Sequence, residues 1–297
     1  MESVIEVEDL RQGYGSFEAV SGVSFAVARG ELFALLGTNG AGKTTTLETV
    51  EGLRPGRAGS VRVLGSDPHR ERRRIRARLG VMMQDGGLFP DLSVGETVRA
   101  WRGLVRGART QREVLELSGL ADRSGVRVRQ LSGGQRRRLD LALALTGRPE
   151  IVFLDEPTTG MDPQARQEIW RIVRGLRDQG TTVVLTTHYL EEAEQLADRV
   201  AIMHSGRIRV AGTVAEVLAR RGARVTFRPL PAAEPPVIGG VAPETGGGRV
   251  GYELVESVQD GLGELLRWAS GNGIELAGLE VRGGSLEDVF LEIAEGV

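Results

Sequence analysis

The chain has 297 residues, 40% of them hydrophobic and 26% charged, with a formal net charge of −2. That is enough apolar material for one large domain, or one large and one small, and it gives no electrostatic case for nucleic-acid binding, which calls for a strongly basic face. There is no cysteine, which excludes disulfides and thiolate metal sites and fits a reducing compartment.

The first residues, Met1 to Asp9, are acidic and lack a long apolar stretch, so no signal peptide is expected. No apolar run approaches the roughly 18–20 residues needed to span a bilayer, so any membrane role requires a separate membrane partner. Segments 4–7 and 25–27 predict short strands. Segment 32–36 is a wholly apolar strand running into a glycine-rich turn, and 44–52 continues as a helix. The basic run from Arg70 to Arg78 interleaves no aromatics and reads as a solvated helix face. A strand over 79–83 ends at Gln84. From 85 to 130 the pattern is helical, with amphipathic candidates at 94–105 and 112–118. A helix over 133–146 is closed by Gly147 and Pro149. The apolar strand 151–154 ends in Asp155-Glu156. A helix over 163–178 starts at a proline, a β-branched strand over 181–187 reaches His188, a helix covers 191–198, and 200–203 with 207–210 form a hairpin across Ser205-Gly206. This alternation predicts an α/β domain with a mostly parallel core sheet. Beyond about Val217 the texture changes. Residues 229–251 are rich in Pro and Gly and read as a long loop or linker. A strand (252–257), an amphipathic helix (260–270), a strand (274–281) and a helix (285–294), with Ser285 and Asp288 in an N-cap pattern, make a small α+β module. The predicted organisation is therefore 1–217, 218–251 and 252–297. His69, His188 and His204 are too scattered in sequence to suggest a metal cluster.

Lys43 is the one lysine beside 37 arginines. It stands in Gly37, Thr38, Asn39, Gly40, Ala41, Gly42, Lys43, Thr44, which fits the phosphate-loop pattern G-x-x-x-x-G-K-[ST]. A compact ammonium enters a tight loop around a phosphate chain; a wide planar guanidinium does not. Backbone N–H groups at the helix start face an anion favoured by the helix dipole. Lys43 is expected to reach the β- and γ-phosphates, and the Thr44 hydroxyl to bind Mg²⁺. Asp155, at a strand end, can hold Mg²⁺ directly or through water. Glu156 points to a different side, where it can polarise a water against the γ-phosphorus. Leu131, Ser132, Gly133, Gly134, Gln135 form a second anion-binding helix start: Ser132 caps while the glycines bare their N–H groups. Two half-sites in one chain are completed by a head-to-tail pair with two-fold symmetry.

These motifs, with Gly160-Met161-Asp162-Pro163 and His188 in the same order, resemble the ATP-binding cassette (ABC) ATPases over about residues 4–212. The resemblance implies a P-loop NTPase fold with N-terminal antiparallel strands, a parallel core sheet and a helical subdomain at about 85–147. It implies that Tyr14 stacks on adenine and that Thr45 joins the nucleotide site. Gln84 would sense Mg²⁺ and the attacking water, and link ATP to the membrane partner. Ser132 and Gly134, with Gly133 and Gln135, would meet the γ-phosphate of the opposite subunit; Asp162 would cross the dimer interface and His188 would contact the γ-phosphate. The ending Gly284-Ser285-Leu286-Glu287-Asp288-Val289-Phe290-Leu291 is similar to that of drug-exporter ATPases of the daunorubicin-resistance type, which serve ABC-2 type permeases. The Pro/Gly-rich insert at 231–248 departs from that pattern. By this reading the chain is the ATP-hydrolysing subunit of an exporter of drugs or other hydrophobic compounds, peripheral on the cytoplasmic face of the cell membrane. Its permease would dock on 85–130. A soluble ABC ATPase outside transport is the alternative, although coiled-coil insertions, tandem cassettes and basic faces are absent from the sequence. A non-hydrolysing scaffold is a third reading, opposed by the intact Lys43, Asp155, Glu156 and His188.

Overall fold

The computed structural model describes residues 2–84, 87–219, 222–228, 234–246, 248–254 and 257–295. The chain divides into two units, Met1–Thr213 and Val214–Val297.

The first unit opens with β1 (Ser3–Tyr14) and β2 (Phe17–Ala28), an antiparallel ladder. Both strands are longer than their periodicity predicted. Shifts in register around Asp9, which sits at φ 45°, interrupt the two-residue alternation on which the prediction relied. β3 (Leu32–Gly37) and α1 (Lys43–Val50) flank the glycine loop. β4 (Ala58–Val63) completes a three-stranded sheet in the order β2-β1-β4. No strand was expected there, because β4 is exposed along most of its length and carries little apolar signal. The short α2 (Arg72–Ile75) buries only Ile75, so the arginine run does present a solvated face.

β5 (Leu79–Met82) precedes the helical subdomain of α3 (Val94–Gly103), α4 (Gln111–Ser118) and α5 (Gly133–Ala144), within the predicted 85–147; Asp85 and Gly86 of that prediction lie outside the described residues. Ser93 and Thr110 start α3 and α4 with reciprocal capping boxes to Glu96 and Glu113. Val94, Val98, Val114, Leu120, Leu131 and Leu139 form the subdomain's own core. β6 (Ile151–Asp155), α6 (Pro163–Asp178), β7 (Thr182–Thr187), α7 (Leu190–Leu196), β8 (Arg199–His204) and β9 (Arg207–Thr213) follow. Ser205 and Gly206 both adopt positive φ, as the two-residue turn between β8 and β9 requires.

The main sheet has the order β5-β6-β7-β3-β8-β9. Its first five strands are parallel and β9 is antiparallel. β3, β6 and β7 are buried along their whole length, as strands covered on both faces must be. Their carboxyl ends, where open parallel sheets bind ligands, bring residues 37, 155 and 187 to one edge.

The second unit contains α8 (Val214–Ala219), β10 (Ala223–Phe227), β11 (Glu244–Gly246), β12 (Arg249–Leu254), α9 (Val258–Gly271), β13 (Glu280–Arg282) and α10 (Leu286–Glu295). Its sheet runs β11-β12-β10-β13, all antiparallel. The break in texture read at Val217 falls inside α8, which continues straight from β9 without a change in composition. The segment 218–251, expected to be irregular, holds β10, β11 and the start of β12. Residues 229–233 and 247 of the Pro/Gly-rich stretch, and 255–256 of the predicted strand 252–257, lie outside the described residues. The predicted strand 274–281 shrinks to β13 because Gly278, at φ 65°, turns the chain first. Ser285 and Asp288 form the expected cap: Asp288 N–H donates to Ser285 Oγ at 3.2 Å, and Ser285 N–H to the Asp288 carboxylate at 2.9 Å.

Candidate active site

The loop after β3 folds as its glycines allow. Gly42 sits at φ 100°, and a Cβ there would lie 2.4 Å from the carbonyl oxygen of Ala19; a Cβ on Gly37 would lie 2.5 Å from that of Met203. No side chain caps α1, so its first N–H groups are left for an anion. Lys43 Nζ lies inside the turn, donating to the carbonyls of Gly37 at 2.8 Å and Thr38 at 3.2 Å. Burial pushes its pKa down, opposed by the carboxylates of Glu156 and Asp155. Asn39 and Gly40 are exposed, Ala41 buried. Thr45 Oγ1 is 3.2 Å from the hydroxyl of Tyr14, whose half-exposed ring has the Arg54 guanidinium over it at 5.0 Å. The structure thus brings Tyr14 to the start of α1.

Asp155 and Glu156 diverge, as their order at a strand end suggested. Asp155 Oδ2 accepts from Thr44 Oγ1 at 3.3 Å, and its Oδ1 from Thr186 Oγ1. Burial raises the Asp155 pKa and the Glu156 charge adds to the rise; the bonds from Thr186 and Thr44 and the Lys43 charge oppose it. A hydroxyl and a carboxylate side by side are hard oxygen donors of the kind that suit Mg²⁺. Among the described residues no group of three or more His, Asp or Glu forms a metal cluster; the pair fits a cation that keeps waters and shares phosphate oxygens.

Glu156 adopts φ 46°, a conformation that costs a non-glycine residue about 1–3 kcal/mol. It swings the carboxylate out of the strand to a different set of partners. Thr159 Oγ1 donates to Oε2 at 3.0 Å and Gln84 Nε2 at 3.5 Å, while His188 Nδ1 lies 3.3 Å from Oε1. Gln84 therefore meets Glu156 rather than Thr44 or Asp155 in this arrangement.

Ser132, Gly133, Gly134 and Gln135 begin α5 on the helical subdomain. Gln135 N–H donates to Ser132 Oγ at 3.2 Å, and Ser132 N–H to Gln135 Oε1 at 3.0 Å. A Cβ on Gly134 would press to 2.9 Å from that of Ala165, whereas Gly133 faces open space. Asp162 caps α6 through a 2.9 Å bond from Ala165 N–H.

Arg137 was not singled out by its sequence, where it is the middle of an arginine triplet. Its guanidinium is buried and serves five carbonyls: Pro157 at 3.2 Å, Met83 at 2.9 Å, Gln84 at 2.8 Å, Asp155 at 3.0 Å and Glu156 at 2.8 Å. All five N–H donors of the fork are used. It ties the end of β5, which carries Gln84, to the end of β6, which carries both acids. Its phase with the buried Leu141 one turn on was the available signal.

Residues 20–159 match the family model described as ABC transporter. The chain is 39% identical over 303 residues to the daunorubicin resistance ATP-binding protein DrrA3 of Streptomyces coeruleorubidus, covering 98% of this chain and 96% of that one. It is 42% identical over 223 residues to the Nod factor export ATP-binding protein I of Paraburkholderia xenovorans, covering 73% of each. A solved ATP-binding subunit of an ABC transporter superposes with a TM-score of 0.66 at 28% identity, over 72% of this chain and 91% of that one. A dimeric bacterial ABC transporter cassette gives 0.62 at 26% identity, over 70% and 98%. These relatives weigh for transport over the soluble alternative. The loop on Lys43, the divergent Asp155 and Glu156 and the capped start of α5 have their explanation in that kinship: the chain belongs to the ABC transporter family, as an ATP-binding subunit that hydrolyses ATP.

Proposed function

We propose that this subunit powers a separate ABC-2 type permease that exports drugs or other hydrophobic compounds. Glu156 is the general base. The observation that carries this role is its placement: φ 46° turns it away from Asp155 and toward Gln84, Thr159 and His188, beside the glycine loop. Thr44 and Asp155, already paired, would hold Mg²⁺, with Gln84 joining them once it leaves Glu156; when bound, the cation would offset charge on the phosphates. The loop from Gly37 to Thr45 binds the phosphates, Tyr14 stacks on the base, and Lys43 leaves its two carbonyls for the phosphate oxygens. Glu156 takes the proton of the attacking water, with Gln84 and His188 orienting it.

Ser132, Gly133, Gly134 and Gln135 complete the site of a second copy in a head-to-tail dimer, with Asp162 at the interface; the similarity to a dimeric cassette supports this. No helix among the described residues is long and apolar enough to cross a membrane. The subunit acts from the cytoplasmic face through its partner, a reading supported by its likeness to transporter ATP-binding subunits. The permease docks on 85–130, where Phe89, Trp101 and Leu104 are exposed apolar side chains, Leu104 at 81%. The reading as drug export is supported by the likeness, over 98% of this chain, to a daunorubicin resistance ATP-binding protein.

Glu156→Gln is the test. The variant is expected to bind ATP and dimerise but not turn over, whereas normal steady-state hydrolysis removes the role. By light scattering the isolated chain is expected to be a monomer or weak dimer without ATP. A constitutive dimer counts against the ATP-closed pair. Failure of the full chain to co-purify with any membrane protein would sink the permease assignment.

A further inference from the structure

Behind the hydrolysis site lies a carboxyl group that the mechanism above does not use. Glu192, on α7 and one turn past His188, is wholly buried. Its Oε1 accepts from Thr158 Oγ1 at 3.0 Å and from the Trp170 indole Nε1 at 3.0 Å. Its Oε2 has no hydrogen bond of normal geometry. Burial pushes its pKa up, and hydrogen bonding from Thr187, Trp170 and Thr158 and the Arg166 charge oppose the rise.

The two donors to Oε1 come from the elements that carry the site. Thr158 precedes Thr159, which holds the Glu156 carboxylate, and begins the stretch that ends at Asp162. Trp170 is the buried anchor of α6, the helix that Asp162 caps. A second link runs parallel: the Arg166 guanidinium of α6 lies 5.0 Å over the Tyr189 ring, which is 4.2 Å from the His188 ring. Burying a carboxyl costs several kcal/mol unless it is bonded, and an apolar side chain of this size would fill the space without that cost. What the carboxyl adds is one acceptor shared by both elements.

We propose that Glu192 is a positioning residue for ATP hydrolysis: by accepting from Thr158 and Trp170 through one buried oxygen, it holds the segment Glu156–Asp162 in register with the turn that carries His188. The proposal rests on the roles given above to Glu156 and His188. Glu192 touches no reacting atom, so its loss acts on turnover and leaves nucleotide affinity alone.

The experiment measures kcat, KM for ATP, equilibrium ATP binding and Tm of the full chain for Glu192→Leu, Glu192→Gln and Thr158→Val. Leu keeps the size and removes the acceptor; Gln keeps an acceptor oxygen; Val removes one donor. Glu192→Leu and Thr158→Val are each expected to lower kcat about tenfold or more, roughly 1.4 kcal/mol of barrier, with KM and ATP binding within about twofold. Glu192→Gln is expected to recover kcat to within about threefold of the parent. A lowered Tm with kcat unchanged in both Leu and Val variants marks a purely structural bond and overturns the proposal, as does a parallel loss of binding and turnover. If Glu192→Leu does not fold, Thr158→Val decides alone. Glu156→Gln is run beside them. If it hydrolyses ATP, the site assignment falls and the positioning role with it. If it is inactive while Glu192→Leu and Thr158→Val turn over normally, only the positioning role falls.

Discussion

Replacing Glu51 by Gln should stabilise the protein at alkaline pH and do almost nothing at acid pH. Glu51 ends α1, the helix that starts at Lys43, and is 7% exposed. Burial, with the charges of Asp155 and Glu48 adding to it, pushes its pKa from 4.5 up to about 8. A carboxylate at a helix C-terminus also faces the negative end of the helix dipole. Between those two pH values the folded chain holds a proton that the unfolded chain has released. The unfolded state then binds fewer protons, so stability falls as pH rises through the window and levels off above about 8. The gap between 4.5 and about 8, at about 1.4 kcal/mol per pKa unit, is worth about 4 to 5 kcal/mol. Gln is neutral at every pH and nearly isosteric, so it escapes this loss. Urea denaturation of nucleotide-free parent and Glu51→Gln at pH 5, 6.5, 8 and 9 measures the difference, because titrating groups that do not feel the Glu51 charge cancel; Asp155 and Glu48 do feel it and belong to the same effect. The variant's advantage should open from near zero at pH 5 to about 4 kcal/mol at pH 9. Magnesium nucleotide should flatten the parent's slope, since a cation beside Asp155 relieves the Glu51 carboxylate. A parent-to-variant gap that is constant across pH, or one that widens toward acid, refutes the reasoning.

Two further outcomes test the site. Lys43→Arg keeps the charge but puts a planar fork where Nζ sits 2.8 Å and 3.2 Å from two loop carbonyls; ATP hydrolysis should fall about 100-fold or more while circular dichroism and Tm stay near the parent's. Hydrolysis at the native rate would make the lone lysine a compositional accident. Arg137→Met leaves five carbonyls at the ends of β5 and β6 without their donor and should cost about 3 to 5 kcal/mol in chemical denaturation. Arg137→Lys, with three donors for five acceptors, should recover only part of it. A loss under about 1 kcal/mol for Arg137→Met would show that the strand ends hold without it.

The amino-acid sequence by itself determined what local physics decides. An apolar run, two glycines with positive φ and one lysine are enough for a strand, a phosphate loop and a helix, because each constraint acts within a few residues of its neighbours. The helix Pro163–Asp178 was predicted to the residue because a capping Asp162, a proline at its first position and a regular apolar stripe all agree. The different directions of Asp155 and Glu156 were legible from their order at a strand end. Tertiary structure alone decided the rest. Strand order places β3 between β7 and β8 and so brings Lys43 to Asp155, which is 112 residues away in the chain, and no local pattern encodes that pairing. β4 and β11 exist because partners hydrogen-bond them, not because their own side chains favour burial. Arg137 and Glu192 look in sequence like ordinary solvated charges. Only the packing that surrounds one with five carbonyls and the other with two donors turns them into the fastenings of the site. The physical reason is one of range: backbone preferences and caps act along the chain, whereas the desolvation that makes a buried charge matter depends on what the fold brings against it.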